Sequence, residues 1–74
     1  MQTGDAIIIV RGEGLEHYGL RTGVEGFCNA LITIPGSDEE YVYFMPDEVT
    51  QVYVIEKSRV EVDEKRQPKL VGEM

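Results

Sequence analysis

The chain has no tryptophan, a single cysteine and a single histidine among its 74 residues. Each scarcity removes a class of function. One cysteine, Cys28, cannot form an internal disulfide, so the fold has to hold by packing. A structural zinc site wants about four ligands, mostly Cys and His, and His17 and Cys28 are the only residues of that kind. A Ser-His-Asp or Cys-His-Asp array would rest on that same histidine, in a core too small to enclose it. No lysine precedes Lys57, and a Walker loop needs Gly-Lys-Ser/Thr to close its phosphate cradle. No apolar run approaches the ~20 residues of a membrane helix; Ala6 to Val10 suits one strand. The opening Met-Gln-Thr-Gly-Asp lacks the basic start and apolar stretch of a signal peptide. The expectation is a reducing, cytoplasmic setting, no enzyme activity, no cofactor, no metal and no membrane partner.

Basic residues are scarce in the longer part of the chain. The net charge is −7. Residues 1–55 carry Arg11 and Arg21 against Asp5, Glu13, Glu16, Glu25, Asp38, Glu39, Glu40, Asp47 and Glu48, which accounts for all of it. Residues 56–74 balance five basic side chains against five acidic ones. Such a surface repels phosphate backbones and lacks the Lys and Arg contacts on which nucleic-acid binding rests. Direct nucleic-acid binding is excluded on these grounds, and a protein partner with a basic surface is favoured.

What is present is strand and turn signal. Gly4-Asp5 opens a β-branched run, Ala6 to Arg11, with Ile7 and Ile9 on one side and Ala6, Ile8 and Val10 on the other. Gly12 to Gly19 reads as a loop. Arg21 to Ile34 predicts two strands, or one strand bent sharply near Gly26 or at Asn29. Pro35-Gly36 predicts a type II turn. Tyr41 to Met45 alternates Tyr41, Tyr43 and Met45 against Val42 and Phe44. Pro46-Asp47-Glu48 predicts a tight, 3₁₀-like turn. Thr50 to Ile55 reads as the next strand, and Val60 and Val62 suggest a further short one. After Glu64 the run Lys-Arg-Gln-Pro-Lys lacks apolar content, and a frayed tail is expected. No stretch carries a helical period long enough for more than a turn or two. Five or six short strands in so short a chain predict a small barrel, all-β in class, because closure removes exposed sheet edges. Residues 1–55 would form it, and 56–74 would be an extension.

The glycines raise a rival reading. Gly12-Glu13-Gly14-Leu15-Glu16-His17 follows a strand, as a dinucleotide fingerprint does, but His17 stands where the third glycine belongs and no helix pattern follows. Glu13 and Glu16 would face the phosphates. The stretch is turn chemistry.

In this order, Gly4-Asp5-Ala6-Ile7-Ile8-Ile9, Gly23-Val24-Glu25-Gly26 and Phe44-Met45-Pro46-Asp47-Glu48-Val49-Thr50 resemble the small SH3-like barrels, including KOW-type modules and the variable chain of ferredoxin-thioredoxin reductase. The resemblance spans roughly residues 4–52. It implies a barrel and, for small bacterial members, a role as subunit or adaptor on a larger protein. RNA-binding members are basic where this chain is acidic. Signalling SH3 domains grip proline-rich peptides around a tryptophan that is missing here.

Four tyrosines supply the candidate site. With Val42 and Phe44 inward, Tyr41 and Tyr43 face out, Tyr53 on the next strand is expected beside them, and Tyr18 joins from the loop. Tyrosine buries a rigid ring and hydrogen-bonds at its tip, which suits protein interfaces. Glu39, Glu40 and Asp47 would rim this face. Cross-strand aromatic pairs also stabilise sheets with no partner involved. Two functions fit: a small acidic protein-binding module serving as adaptor, accessory subunit or regulator, of bacterial or phage type; and an acidic inhibitor that imitates nucleic acid in the groove of a DNA- or RNA-handling enzyme.

Overall fold

A computed structural model of the chain describes residues 1–66. The tail expected over 67–74 lies outside the described residues. Five strands are present: β1 (Ala6–Ile9), β2 (Glu25–Thr33), β3 (Glu40–Pro46), β4 (Tyr53–Glu56) and β5 (Val60–Val62). Two 3₁₀ turns accompany them, Glu16–Tyr18 and Lys57–Arg59. All pairings are antiparallel, in the order β4-β3-β2-β1-β5. The class is all-β. No helix among the described residues is long and apolar enough to cross a membrane.

Connectivity forces this sheet to curl. In a flat five-stranded sheet the edge strands lie about 19 Å apart, four steps of ~4.8 Å. Here the edges, β4 and β5, are joined by the three residues Lys57–Arg59 alone, and a 3₁₀ turn of that length rises only ~6 Å. The edges therefore approach one another at that corner. The ladder itself stays open between β4 and β5 among the described residues. Val10 and Arg11 donate backbone hydrogen bonds to the Arg59 carbonyl at 2.8 and 3.1 Å, which anchors the corner to the end of β1.

β2 is the shared strand. Its first part, Glu25 to Phe27, pairs with β1, while Gly26 to Thr33 pairs with β3. Between Cys28 and Ala30 the register shifts by one residue, so Asn29 is a bulge. This is the bend predicted for the segment, and the Cys28 thiol closes it with a 3.5 Å hydrogen bond to the Ala30 carbonyl. Gly26 is needed for a second reason. A Cβ there would overlap the Met45 carbonyl and approach the Pro46 backbone. The turn after β2 is type II as predicted: Ser37 donates to the Ile34 carbonyl at 3.0 Å, with Gly36 at φ +86°.

The core lies inside the curl. It contains Ile7, Ile9, Cys28, Val42, Phe44, Ile55 and Val60, together with Leu15 and Leu20. The two leucines plug the long β1–β2 loop into the core. That segment, expected to be an irregular loop, carries the Glu16–Tyr18 turn and is tied by hydrogen bonds from Gly12 to Thr22 Oγ1 and from Gly14 to Glu16 Oε1. The further short strand suggested by Val60 and Val62 is present as β5, which pairs with β1 through Ile7–Val62 and Ile9–Val60 and so joins the sheet. Lys65 and Arg66 likewise lie in an ordered turn rather than in a frayed tail: Arg66 donates its backbone N–H to the Asp63 carbonyl at 3.0 Å.

Replacing Gly26 by alanine should push β2 and β3 apart where neither backbone can yield. The expected loss is about 1–3 kcal/mol, the range for forcing a methyl into a filled site. Urea unfolding monitored by tyrosine fluorescence measures it, and an unchanged midpoint would show that the two strands separate freely at that point.

Candidate functional site

The register of β2, β3 and β4 decides which tyrosines share a face. Side chains directly opposite in a ladder point to the same side. Tyr43 stands between Ala30 and Val54, and Tyr41 between Ile32 and Glu56. Val42 and Phe44, wholly buried, point the other way. The convex outer face thus carries two adjoining rows, Ala30-Tyr43-Val54 and Ile32-Tyr41-Glu56, as the alternation of β3 predicts. Tyr43 and Val54 are 37% and 49% exposed, an uncovered apolar pair in the middle of a sheet face.

Tyr53 is not beside them. Its ladder partner is Phe44, so it shares the concave side and packs against the core. There it meets Tyr18, whose ring centroid lies 5.2 Å away, and Tyr18 in turn stacks on His17 at 4.0 Å. The four tyrosines therefore form two pairs on opposite sides of β4. Adjacent positions along a strand alternate faces, and only the pairing of β3 with β4 says which parity Tyr53 takes.

The acidic rim divides in the same way. Glu40 is held by Lys57 at 3.0 Å. Asp47 is held by Arg66 at 2.9 Å. Glu39 enters no ion pair among the described residues; its backbone N–H is taken by Ser37 Oγ at 3.1 Å. Asp38, Glu39 and Glu40 surround one depression with Lys57 and Ser58, so three carboxylates there face a single ammonium group.

Two arginines with no local sequence signal organise the surface. Arg59 binds Glu56 at 2.6 Å and donates to the carbonyls of Arg11 and Glu13, fastening the β1–β2 loop to the β4–β5 corner. Arg66 lies over the Phe27 ring, 5.1 Å from its centroid, with Glu25, Asp47 and Asp63 around its guanidinium. The hydrogen bond to Asp47 raises the Arg66 pKa further above its ordinary value. Their partners lie up to 48 residues away in the chain. Sequence reasoning also passes over the outward Ile32 and Val54 as site residues; their signal is the period of two carried across three strands.

No group of His, Cys, Asp and Glu side chains among the described residues is arranged to hold a metal ion. Cys28 is buried and burial pushes its thiol up, so it is a neutral packing group at physiological pH. Comparison with protein-family models, with curated proteins and with solved structures finds no match. The geometry alone carries the functional argument: the outer face sets aromatic and aliphatic area beside carboxylate charge.

Two outcomes test this description. The Glu56 carboxyl is held below the ordinary range by a hydrogen bond to its own backbone and by Arg59. A depressed folded pKa stabilises above the unfolded value of about 4.3 and ceases to as the pH falls through the folded value. Glu56→Gln should therefore cost up to about 1 kcal/mol at neutral pH, as for a solvent-screened pair, and progressively less below pH ~4.3, read from urea midpoints across pH. Separately, Cys28 should react with iodoacetamide only as fast as the protein unfolds, so native labelling at the rate of the denatured chain would contradict its burial.

Proposed function

We propose that this chain is a small acidic protein-binding module, an adaptor, accessory subunit or regulator of a larger complex, which meets its partner through the outer face of β2, β3 and β4. The observation that carries the reading is the Ala30-Tyr43-Val54 row, with Tyr43 and Val54 exposed in mid-sheet. Such pairs stabilise a sheet by themselves, and here they also form a continuous apolar strip across three strands that a partner could cover. Tyr41 and Ile32 continue the surface, and Asp38 and Glu39 supply negative charge at the β2–β3 hairpin end, where a partner's Lys or Arg would be drawn. Tyr18 and Tyr53 form a second, smaller aromatic patch on the loop side, available to a partner that wraps the edge.

On this reading the curled sheet is an SH3-like barrel with an open seam between β4 and β5, and the protein works in the reducing cytoplasm of a bacterial or phage system. The three-residue β4–β5 link and the bend in β2 support the barrel. The rival, a nucleic-acid mimic, calls for a row of carboxylates free to imitate phosphates. Glu25, Glu40, Asp47, Glu56 and Asp63 are instead engaged by Lys57, Arg59 and Arg66.

The test is affinity capture from source lysate with the wild type, Tyr41→Ala/Tyr43→Ala and Glu39→Lys, at low and moderate salt. The tyrosine variant should lose about tenfold or more of any specific partner, as hot-spot aromatics do, and Glu39→Lys should lose less and mainly at low salt. Capture that ignores the tyrosines yet collapses steeply with salt would favour the mimic.

A further inference from the structure

β4 is shorter than its sequence. Thr50-Gln51-Val52-Tyr53-Val54-Ile55 reads as one continuous strand, yet β4 begins only at Tyr53. The register explains the shortfall. Phe44 faces Tyr53, so Val52 would next face Met45 and Gln51 would face Pro46. Proline has no N–H to give a ladder, and the turn in which Val49 donates to the Pro46 carbonyl draws the chain away. Thr50, Gln51 and Val52 are exposed and lie in no ladder among the described residues. Val49, Val52 and Val54 are 46%, 36% and 49% exposed.

β4 is also the last strand of the ladder, so its outer edge is unpaired among the described residues. Exposed β-branched residues on an open edge form a template for another strand, a hazard that proteins ordinarily blunt with a local lysine, a proline or a bulge. Gln51 to Ile55 has none of these. Charge lies only at the two ends. Asp38, Glu39 and Glu40 gather with Lys57 beside the C-terminal end of β4, while Glu48, which precedes the other end in sequence, lines a depression with Val24, Glu25, Pro46 and Asp47. A second copy of the chain brings a charge of −7 of its own, which opposes homotypic pairing.

We propose that the β4 edge, lengthened by Gln51 and Val52, accepts an extended segment of a partner protein as a sixth strand, one that alternates β-branched and basic residues. Backbone hydrogen bonds hold the added strand, the carboxylates of Asp38, Glu39 and Glu40 beside the C-terminal end of β4 select its Lys or Arg residues, and its outward side chains continue the Tyr43–Val54 row. The proposal rests on the protein-binding reading above, but it uses the backbone of an edge where that reading uses side chains of a face.

The probe is a short capped peptide alternating lysine and valine, added to the full chain labelled with ¹⁵N. Amide hydrogen exchange across residues 51–56 should slow by about tenfold, as for amides taken into a ladder. The same peptide N-methylated at alternate amides should give no protection, because it cannot donate along the strand. Val52→Pro, which removes an N–H that no ladder within the fold uses, should weaken binding about tenfold. Should that variant fail to fold, the methylated peptide decides alone. Absence of protection with the unmodified peptide, or equal binding of the methylated one, overturns the edge. If the methylated peptide binds equally and Tyr41→Ala/Tyr43→Ala abolishes that binding, the face reading survives while the edge falls. Edge protection that persists in the tyrosine variant upholds the edge independently of the face. Protection that rises with protein concentration in the absence of peptide identifies a second copy as the occupant and overturns the basic partner.

Discussion

The rest of the structure depends on β2 pairing along both of its edges while bending between them. Glu25 to Phe27 belong to a β5-β1-β2 half, and Gly26 to Thr33 to a β2-β3-β4 half. Gly26 sits where both ladders overlap, and its missing Cβ lets the β3 backbone come close. Asn29, bulged out of register, turns the second half relative to the first. Given that bend, the three residues Lys57–Arg59 suffice to join opposite edges, and Ile7, Ile9, Val42, Phe44 and Ile55 converge on one interior. A small chain has little apolar area to spare, and curling lets one face of a single sheet act as both walls of the core.

Electrostatics follows the same division. The acidic excess lies in residues 1–55, and the cations that answer it come from the last described stretch: Lys57 to Glu40, Arg59 to Glu56 and the β1–β2 loop, Arg66 to Glu25, Asp47 and Asp63. Each joins segments distant in sequence or closes the corner where the sheet edges meet. These are solvent-screened contacts of small individual worth, and their effect is positional. Asp38 and Glu39, near the C-terminal end of β4, enter no ion pair among the described residues, and so shape where a positively charged partner is attracted.

Much of the fold is legible in short-range chemistry. The β-branched run at Ala6, the Tyr-Val-Tyr-Phe alternation and Pro35-Gly36 all form what their residues require, because each depends on period or φ within a few positions. A bend between Arg21 and Ile34 is legible for the same reason, but its place at Asn29 and not at Gly26 follows from the pairing with β3. Tyr53 is not: its face follows from a pairing register set by Phe44 on another strand, and a shift of one residue reverses it. Arg66 is not either. A polar run reads as tail, and only the fold brings Phe27, Glu25 and Asp47 beneath that guanidinium.

The sequence by itself determined the all-β class, the alternation along β3, the Pro35-Gly36 turn and the acidic character, since these are properties of composition and short-range period. Tertiary structure decided that the sheet curls, that the tyrosines divide between two faces, that β4 stops short at Tyr53 and that the C-terminal cations act as ties. Those outcomes depend on which strands become neighbours and in what register, and no local preference encodes a contact between residues tens of positions apart.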